Sequence, residues 1–314
     1  MADKHHSATS NDSQHSAGHA HDPLAKEHLI GHVKDSEYFE LPRFLGGKWN
    51  IPQLRTSSEP IATFRTGIKA IDDRLEPMAL KVTKFMVIEL VVAIVLVVVF
   101  VRLAGQLKRT GVAKGAWANA LEAMIVFIRD QVARPAIGGH DADRFMPFLL
   151  TLFFFVLACN LFGMLPWGGS PTGALATTGA LALLTFVTVV VSGMVKLGPI
   201  GFWVGQVPHM DLPKLLFIPL WLMIFGIEVM GLGIKHFILA MRLLANMMAG
   251  HLVLAVIMAF IAASATSLAW YAVAPASVFG AVALSLLEVF VAFLQAYIFT
   301  FLSALFIGMA VHPH

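Results

Sequence analysis

Charge is scarce in this chain. Only 13% of its 314 residues are Asp, Glu, Lys or Arg, roughly half the share found in ordinary soluble domains. No charge lies between Phe145 and Val195, or between Leu252 and Leu287. Runs of that kind exclude a solvated globular fold, since about 20 apolar residues already span a hydrocarbon core of about 30 Å. The net charge of +3 is too small to imply a nucleic-acid partner. The single cysteine, Cys159, excludes an intramolecular disulfide and, within an apolar run, reads as a small core residue. A phosphate-binding glycine loop and an ordered set of metal ligands are both missing. The sequence therefore implies no cofactor, no metal site and no nucleotide chemistry in this chain.

What is present is hydrophobic: 58% of the residues are apolar. The expected fold is all-α, a multi-spanning helical membrane protein in contact with the lipid bilayer. Residues 1–80 form a polar tail whose first part holds His5, His6, His15, His19, His21, His28 and His32. Ordered His tracts bind transition metals; these are irregularly spaced and read as a solvated tail with no assigned role. No apolar core follows a basic start, so no signal peptide is expected.

The membrane domain occupies 81–314. Its first helix is expected over 83–106, bracketed by Lys84 and Arg102, with Glu89 seated near headgroups or against protein and a channel role as the alternative. Over 112–135, Trp117, Leu121, Met124, Ile125, Ile128 and Val132 recur at helical spacing between polar residues. This predicts an amphipathic helix on the membrane surface or against a partner. Spans at 145–166 and 173–195 are joined by Pro166, Gly168, Gly169 and Pro171, the marks of a hairpin turn. A Gly- and Pro-rich loop then runs from Lys196 to Lys214. Arg102, Lys108, Arg109 and Lys114 follow the first span directly and place that side in the cytoplasm. The tail then lies outside the cytoplasm, and the 196–214 loop returns to it.

Two apolar helical patterns are too long to stand upright. At 1.5 Å per residue, 215–262 measures about 72 Å and 275–311 about 55 Å, far beyond the bilayer core. They must tilt strongly, bend or protrude, and the short link between them makes them antiparallel. Residues at one level of an antiparallel pair have nearly constant index sums. Arg242 with Gln295 and His251 with Glu288 give sums of 537 and 539. One register therefore sets two polar layers inside the bilayer. Glu228, Lys235 and Arg242 are seven apart and share a face, which Asn246 joins.

An arginine at mid-bilayer costs about 2.5–3.5 kcal/mol on insertion scales and stays protonated at any physiological pH. Fixed there, Arg242 repels protons that would pass it and attracts a carboxylate brought by a partner. Histidine and glutamate exchange protons near neutral pH when their surroundings shift them, so His251 with Glu288 suits a proton relay. The same pair also suits a buried ion pair that fixes the hairpin register. Glu228 lies towards the cytoplasmic start of its helix and fits a second pathway. Asn246 and Gln295 can hydrogen-bond water or a carboxylate. His209 and His236 are isolated and read as structural or interfacial.

The run Arg242-Leu243-Leu244-Ala245-Asn246-Met247-Met248-Ala249-Gly250-His251 resembles the signature of the a subunit of F-type ATP synthases. The resemblance extends through Pro219, Glu228 and Lys235, through Glu288 and Gln295-Ala296-Tyr297-Ile298-Phe299, and through Asn160-Leu161-Phe162-Gly163-Met164-Leu165-Pro166 and Pro171-Thr172. It covers roughly residues 75–312. It implies a proton-translocating stator subunit of the F0 sector in a bacterial inner membrane, with two aqueous half-channels beside a rotating c-subunit ring. The implied partners are that ring, the b subunits of the peripheral stalk and, indirectly, the F1 head, which holds the ATP chemistry. Arg242 is the implied essential charge facing the ring, with Glu228, Asn246, His251, Glu288 and Gln295 along the proton pathway. Many bacterial members carry the acid on the first long helix and the histidine on the second; here they are exchanged. Proton or sodium coupling, ring size and direction of operation are not written in this chain. The rival reading is a secondary transporter or ion channel with a midplane charged site, which predicts inverted repeats, and none is found. A static scaffold subunit of a respiratory complex is a second rival, and it needs no aligned arginine, glutamine and proton-exchanging pair.

Overall fold

A computed structural model describes residues 38–40, 48–51, 83–111, 115–165, 169–207 and 214–312. The seven tail histidines, Lys114, Pro166, Gly168 and His209 lie outside the described residues. Eight α-helices are present among them: α1 Lys84–Thr110, α2 Ala116–Phe127, α3 Arg134–Ile137, α4 Gly139–Gly163, α5 Leu175–Leu197, α6 Pro199–Val204, α7 Lys214–Ser264 and α8 Trp270–Val311. Five of them, α1, α4, α5, α7 and α8, are long and apolar enough to cross a membrane. The expected all-α membrane architecture holds. Within the tail segment, β1 Tyr38–Glu40 and β2 Lys48–Asn50 form a short antiparallel ladder that pairs Phe39 with Trp49; the sequence reading gave no strand there.

Local chemistry sets the helix ends. Thr83 caps α1 by accepting from the Met86 amide at 3.5 Å. Gly111, at φ 70°, ends α1 in a left-handed conformation that favours glycine. Lys108 and Arg109 sit in its last turn, where cations meet the negative end of the helix dipole. The predicted amphipathic helix is not continuous. After α2 the chain widens into a π-helical turn, Ile128–Ala133, and then narrows into α3. Pro135, second in α3, has no amide proton to donate backwards, and a widened turn accommodates that loss. No residue of α2 is buried, and Trp117 is 86% exposed, as a helix lying on a surface requires. Asp130 accepts from Arg129 and Arg134 at 3.0 Å each. The hydrogen-bonded Arg129 guanidinium holds its carboxyl below the usual carboxylate range.

The 196–214 loop is partly helical. Gly198, at φ 80°, turns the chain, and Pro199 opens α6 at a position where its missing amide costs nothing. Phe202 is buried flat against Gly193 of α5, where any Cβ would overlap the ring. The hairpin between α4 and α5 is locked similarly. Gly163 faces Ser170 too closely for a side chain, and Gly169, at φ 67°, faces the Phe85 ring. The core lies between α4, α5, α7 and α8, around Leu149, Val156, Val189, Leu239, Leu243, Phe299 and Ile307. Cys159 is buried in a satellite cluster with Phe85, Ile88 and Val92, as a small core residue.

Helix α7 has 51 residues and α8 has 42, or about 76 Å and 63 Å of helix. Both exceed the bilayer core by far. Helix α8 starts at Trp270, five residues before Pro275, where the sequence pattern places its beginning. Proline in the second turn removes one backbone hydrogen bond and leaves the helix intact. Glu89, on α1, accepts from Thr177 Oγ1 of α5 at 2.6 Å, so it is seated against protein.

Candidate functional site

The site is built on α7 and α8. Gly250 packs directly on Glu288: a Cβ at Gly250 would overlap the Glu288 Oε1, with Cδ at 3.1 Å and Cγ at 3.4 Å. Residues 250 and 288 are thus opposite, and their index sum falls between the two sums expected from sequence. The register is the predicted one, and it carries residue 242 to the level of residues 295 and 296.

His251 and Glu288 come together around a cavity of about 200 Å³, against roughly 30 Å³ per molecule in liquid water. Asn246 and Gly250 line it from α7, Leu284 and Leu287 from α8, and Met164 from the end of α4. His251 Nε2 and Glu288 Oε1 are both buried without a hydrogen-bond partner among the described residues, and no ion pair joins them. The geometry is therefore that of two titratable side chains at one cavity with room for several waters, and not that of a closed ion pair.

Arg242 stands at the edge of the packed face of α7. Leu239, Ala240 and Leu243 beside it are buried, while Ile238 and Met241 are exposed at 57% and 37%. Its Nε and Nη2 are buried without a partner among the described residues, and no carboxylate among those residues pairs with it. Gln295, 4% exposed, likewise holds its Nε2 unpartnered. A guanidinium presents five donors and no acceptor, so this layer is rich in donors and poor in acceptors. What it lacks is a carboxylate. Glu228 lies two turns before His236 on α7, half-buried, on the side of Arg242 away from His251; it is not brought to the cavity. Lys235, on the same face, is exposed.

His236, expected to be structural or interfacial, is packed inside the bundle. It is 4% exposed, between the rings of Phe186 at 5.2 Å and Phe306 at 5.0 Å. Its Nδ1 lies 2.8 Å from the Leu232 carbonyl. A carbonyl only accepts, so Nδ1 carries the proton and Nε2 is left as a bare acceptor, buried without a partner.

A second polar group went without a role in the sequence. Thr172 Oγ1 donates to Asn160 Oδ1 at 2.7 Å, Ser170 Oγ lies 2.9 Å from Thr172 Oγ1, and Asn160 Nδ2 donates to the Ala292 carbonyl at 3.5 Å. Asn160 and Thr172 are fully buried. The set ties the α4–α5 turn to α8 one helical turn before Gln295, and so holds the Gln295 layer in register. Asn160 and Thr172 stood in the quoted motifs, but neither periodicity nor charge marks an amide that acts as a tie. The close approach at Gly250 was implicit in the register, which sets a glycine opposite a glutamate.

Residues 86–308 match the family model described as ATP synthase A chain. A protein of Myxococcus xanthus named ATP synthase subunit a is 43% identical over 238 residues, covering 75% of this chain and 75% of its own length. Proteins of the same name from Chloroherpeton thalassium and Anaeromyxobacter dehalogenans are 36% identical over 293 residues and 38% identical over 305 residues. They cover 93% and 95% of this chain, and 78% and 74% of their own lengths.

Proposed function

The chain belongs to the ATP synthase A chain family, and from that membership we propose a mechanism in which Arg242 separates two proton half-channels beside the c ring. The protein is the proton-translocating stator subunit of the F0 sector, a multi-pass integral protein of the bacterial inner membrane and one subunit of the ATP synthase complex. A proton arriving from outside the cytoplasm passes His251 and Glu288, with Asn246 and Gln295 holding water in the path. It neutralises a carboxylate on the ring, which can then turn into lipid. After nearly a full turn the carboxyl group gives up its proton towards the cytoplasm, past Glu228. Deprotonated, it meets Arg242, whose permanent charge holds it and repels any proton that would pass directly from inlet to outlet. The b subunits hold this chain still while the ring turns, and the F1 head takes up the torque.

One observation carries this reading: two donor atoms of Arg242 are buried with no acceptor among the described residues. Buried charges are paired or else very costly, and an acceptor brought by a partner supplies that pairing. A carboxylate that comes and goes fits that role. The test is Arg242→Ala in the assembled complex. ATP-driven acidification of inverted membrane vesicles is expected to vanish while the complex still assembles. Pumping at the normal rate in that variant rejects the role given to Arg242.

A further inference from the structure

A second cavity, of about 400 Å³, lies at the other end of the bundle, between the start of α4 and the end of α5. We propose that it binds an anionic phospholipid of the cytoplasmic leaflet. This goes beyond the proton pathway and uses none of its residues. Val187, Val191 and Val195 are four apart and 47%, 50% and 66% exposed. They make an apolar stripe down α5 that suits an acyl chain. Arg144 stands at the rim, exposed, with no ion pair among the described residues. Lys196 ends the stripe. One of its three donors goes to Asp141 at 2.7 Å, and its side chain stays 46% exposed.

The groove also contains an acid. Asp141 is held on one side by Lys196 and on the other by His312, whose Nε2 is 3.2 Å away. Its charge is therefore already met within the protein. Thr188 and Ser192 donate to carbonyls of their own helix at 2.8 and 2.9 Å, so they seek no ligand. The open demand is the guanidinium of Arg144, whose planar fork matches a phosphodiester. Basic pockets between spanning helices on the cytoplasmic side recognise anionic headgroups. A free phosphate would make no use of the valine stripe, which is why a lipid is the occupant.

The test uses the whole ATP synthase in liposomes doped with trace photoactivatable phosphatidylglycerol or phosphatidylcholine of identical chains. Adducts are mapped by mass spectrometry. Phosphatidylglycerol adducts on Phe145 and on 187–195 are expected to exceed those of phosphatidylcholine about fivefold, which is what about 1 kcal/mol per basic residue at a membrane surface amounts to. Arg144→Gln should abolish the difference. Asp141→Asn should increase it, by releasing Lys196; a merely structural role would make both variants fall together. Equal labelling by the two lipids in the wild-type complex overturns the proposal. So does labelling displaced by free inorganic phosphate, or a neighbouring subunit crosslinked in the groove in place of lipid.

Discussion

Gly250→Ala tests the relay without removing any of its groups. A methyl at Gly250 would overlap Glu288 Oε1. Relief to an ordinary contact of about 3.5 Å requires the carboxylate to move by roughly 1 Å. The obstacle is the free end of a flexible side chain, so the fold can yield. Alanine is favoured over glycine in a helix interior by about 0.8–1.0 kcal/mol, and forcing Glu288 off its rotamer costs about 0.5–1.5 kcal/mol. The two nearly cancel, so assembly should be unchanged. Function should not be, because a misplacement of about 1 Å in a reacting group costs on the order of 100-fold in rate. The assay is ATP-driven acidification of inverted vesicles, alongside passive proton conduction in vesicles stripped of the soluble head. Both should fall between tenfold and 100-fold, with the subunit present in normal amount. Adding Glu288→Asp, one methylene shorter, should recover part of the loss. A normal pumping rate in Gly250→Ala would refute the idea that the Glu288 carboxylate must sit where it does.

Gly308→Ala should behave in the opposite way: its Cβ would strike the Ala136 carbonyl, a backbone atom that cannot swing aside. Overpacking of that kind costs about 1–3 kcal/mol, and the expected outcome is loss of the subunit from membranes by immunoblot, with normal specific pumping in what remains. Exchanging His251→Glu with Glu288→His should retain more pumping than either single change; if the double variant is no better, the two do not act as a pair. Thr172→Val leaves Asn160 Oδ1 buried without its donor, which costs about 1–3 kcal/mol. It should lower the temperature at which the complex loses pumping, while an additional Asn160→Leu recovers part of that loss.

Much of this fold is written in the sequence as run length and charge. The uncharged stretches from Phe145 and from Leu252 force spanning helices whatever their packing. The antiparallel register follows from where four polar residues fall on two helices, and the Gly250–Glu288 contact keeps it. What escaped were features set by single backbone atoms. The π-helical turn before Pro135 depends on one missing amide, and hydrophobic periodicity survives it unchanged. Helix α6 hides in a stretch rich in Gly and Pro, because Gly198 and Pro199 mark a helix start as readily as a loop. Asn160 is silent for another reason. Its value lies in reaching the Ala292 carbonyl across the core, and no local pattern encodes a partner 132 residues away.

The buried polar groups divide in a way that bears on mechanism. The buried hydroxyls and Asn160 are closed. Thr185, Thr300 and Ser303 each donate to the carbonyl four residues back, at 2.9, 2.9 and 2.7 Å, a bond that a short hydroxyl makes within its own helix. Asn160 and Thr172 satisfy each other. The buried side-chain atoms left open among the described residues belong to His236, Arg242, His251, Glu288 and Gln295, and all five are on α7 or α8. In hydrocarbon each unsatisfied group costs several kcal/mol, so a random scatter of such groups would not survive selection for stability. Their confinement to two helices has a reason if these groups must change partners. A carboxylate, imidazole or guanidinium locked into permanent protein hydrogen bonds cannot pass on a proton or release a passing acid. In the mechanism we propose, the groups left open by the protein are the ones that a moving partner and a file of water complete in turn.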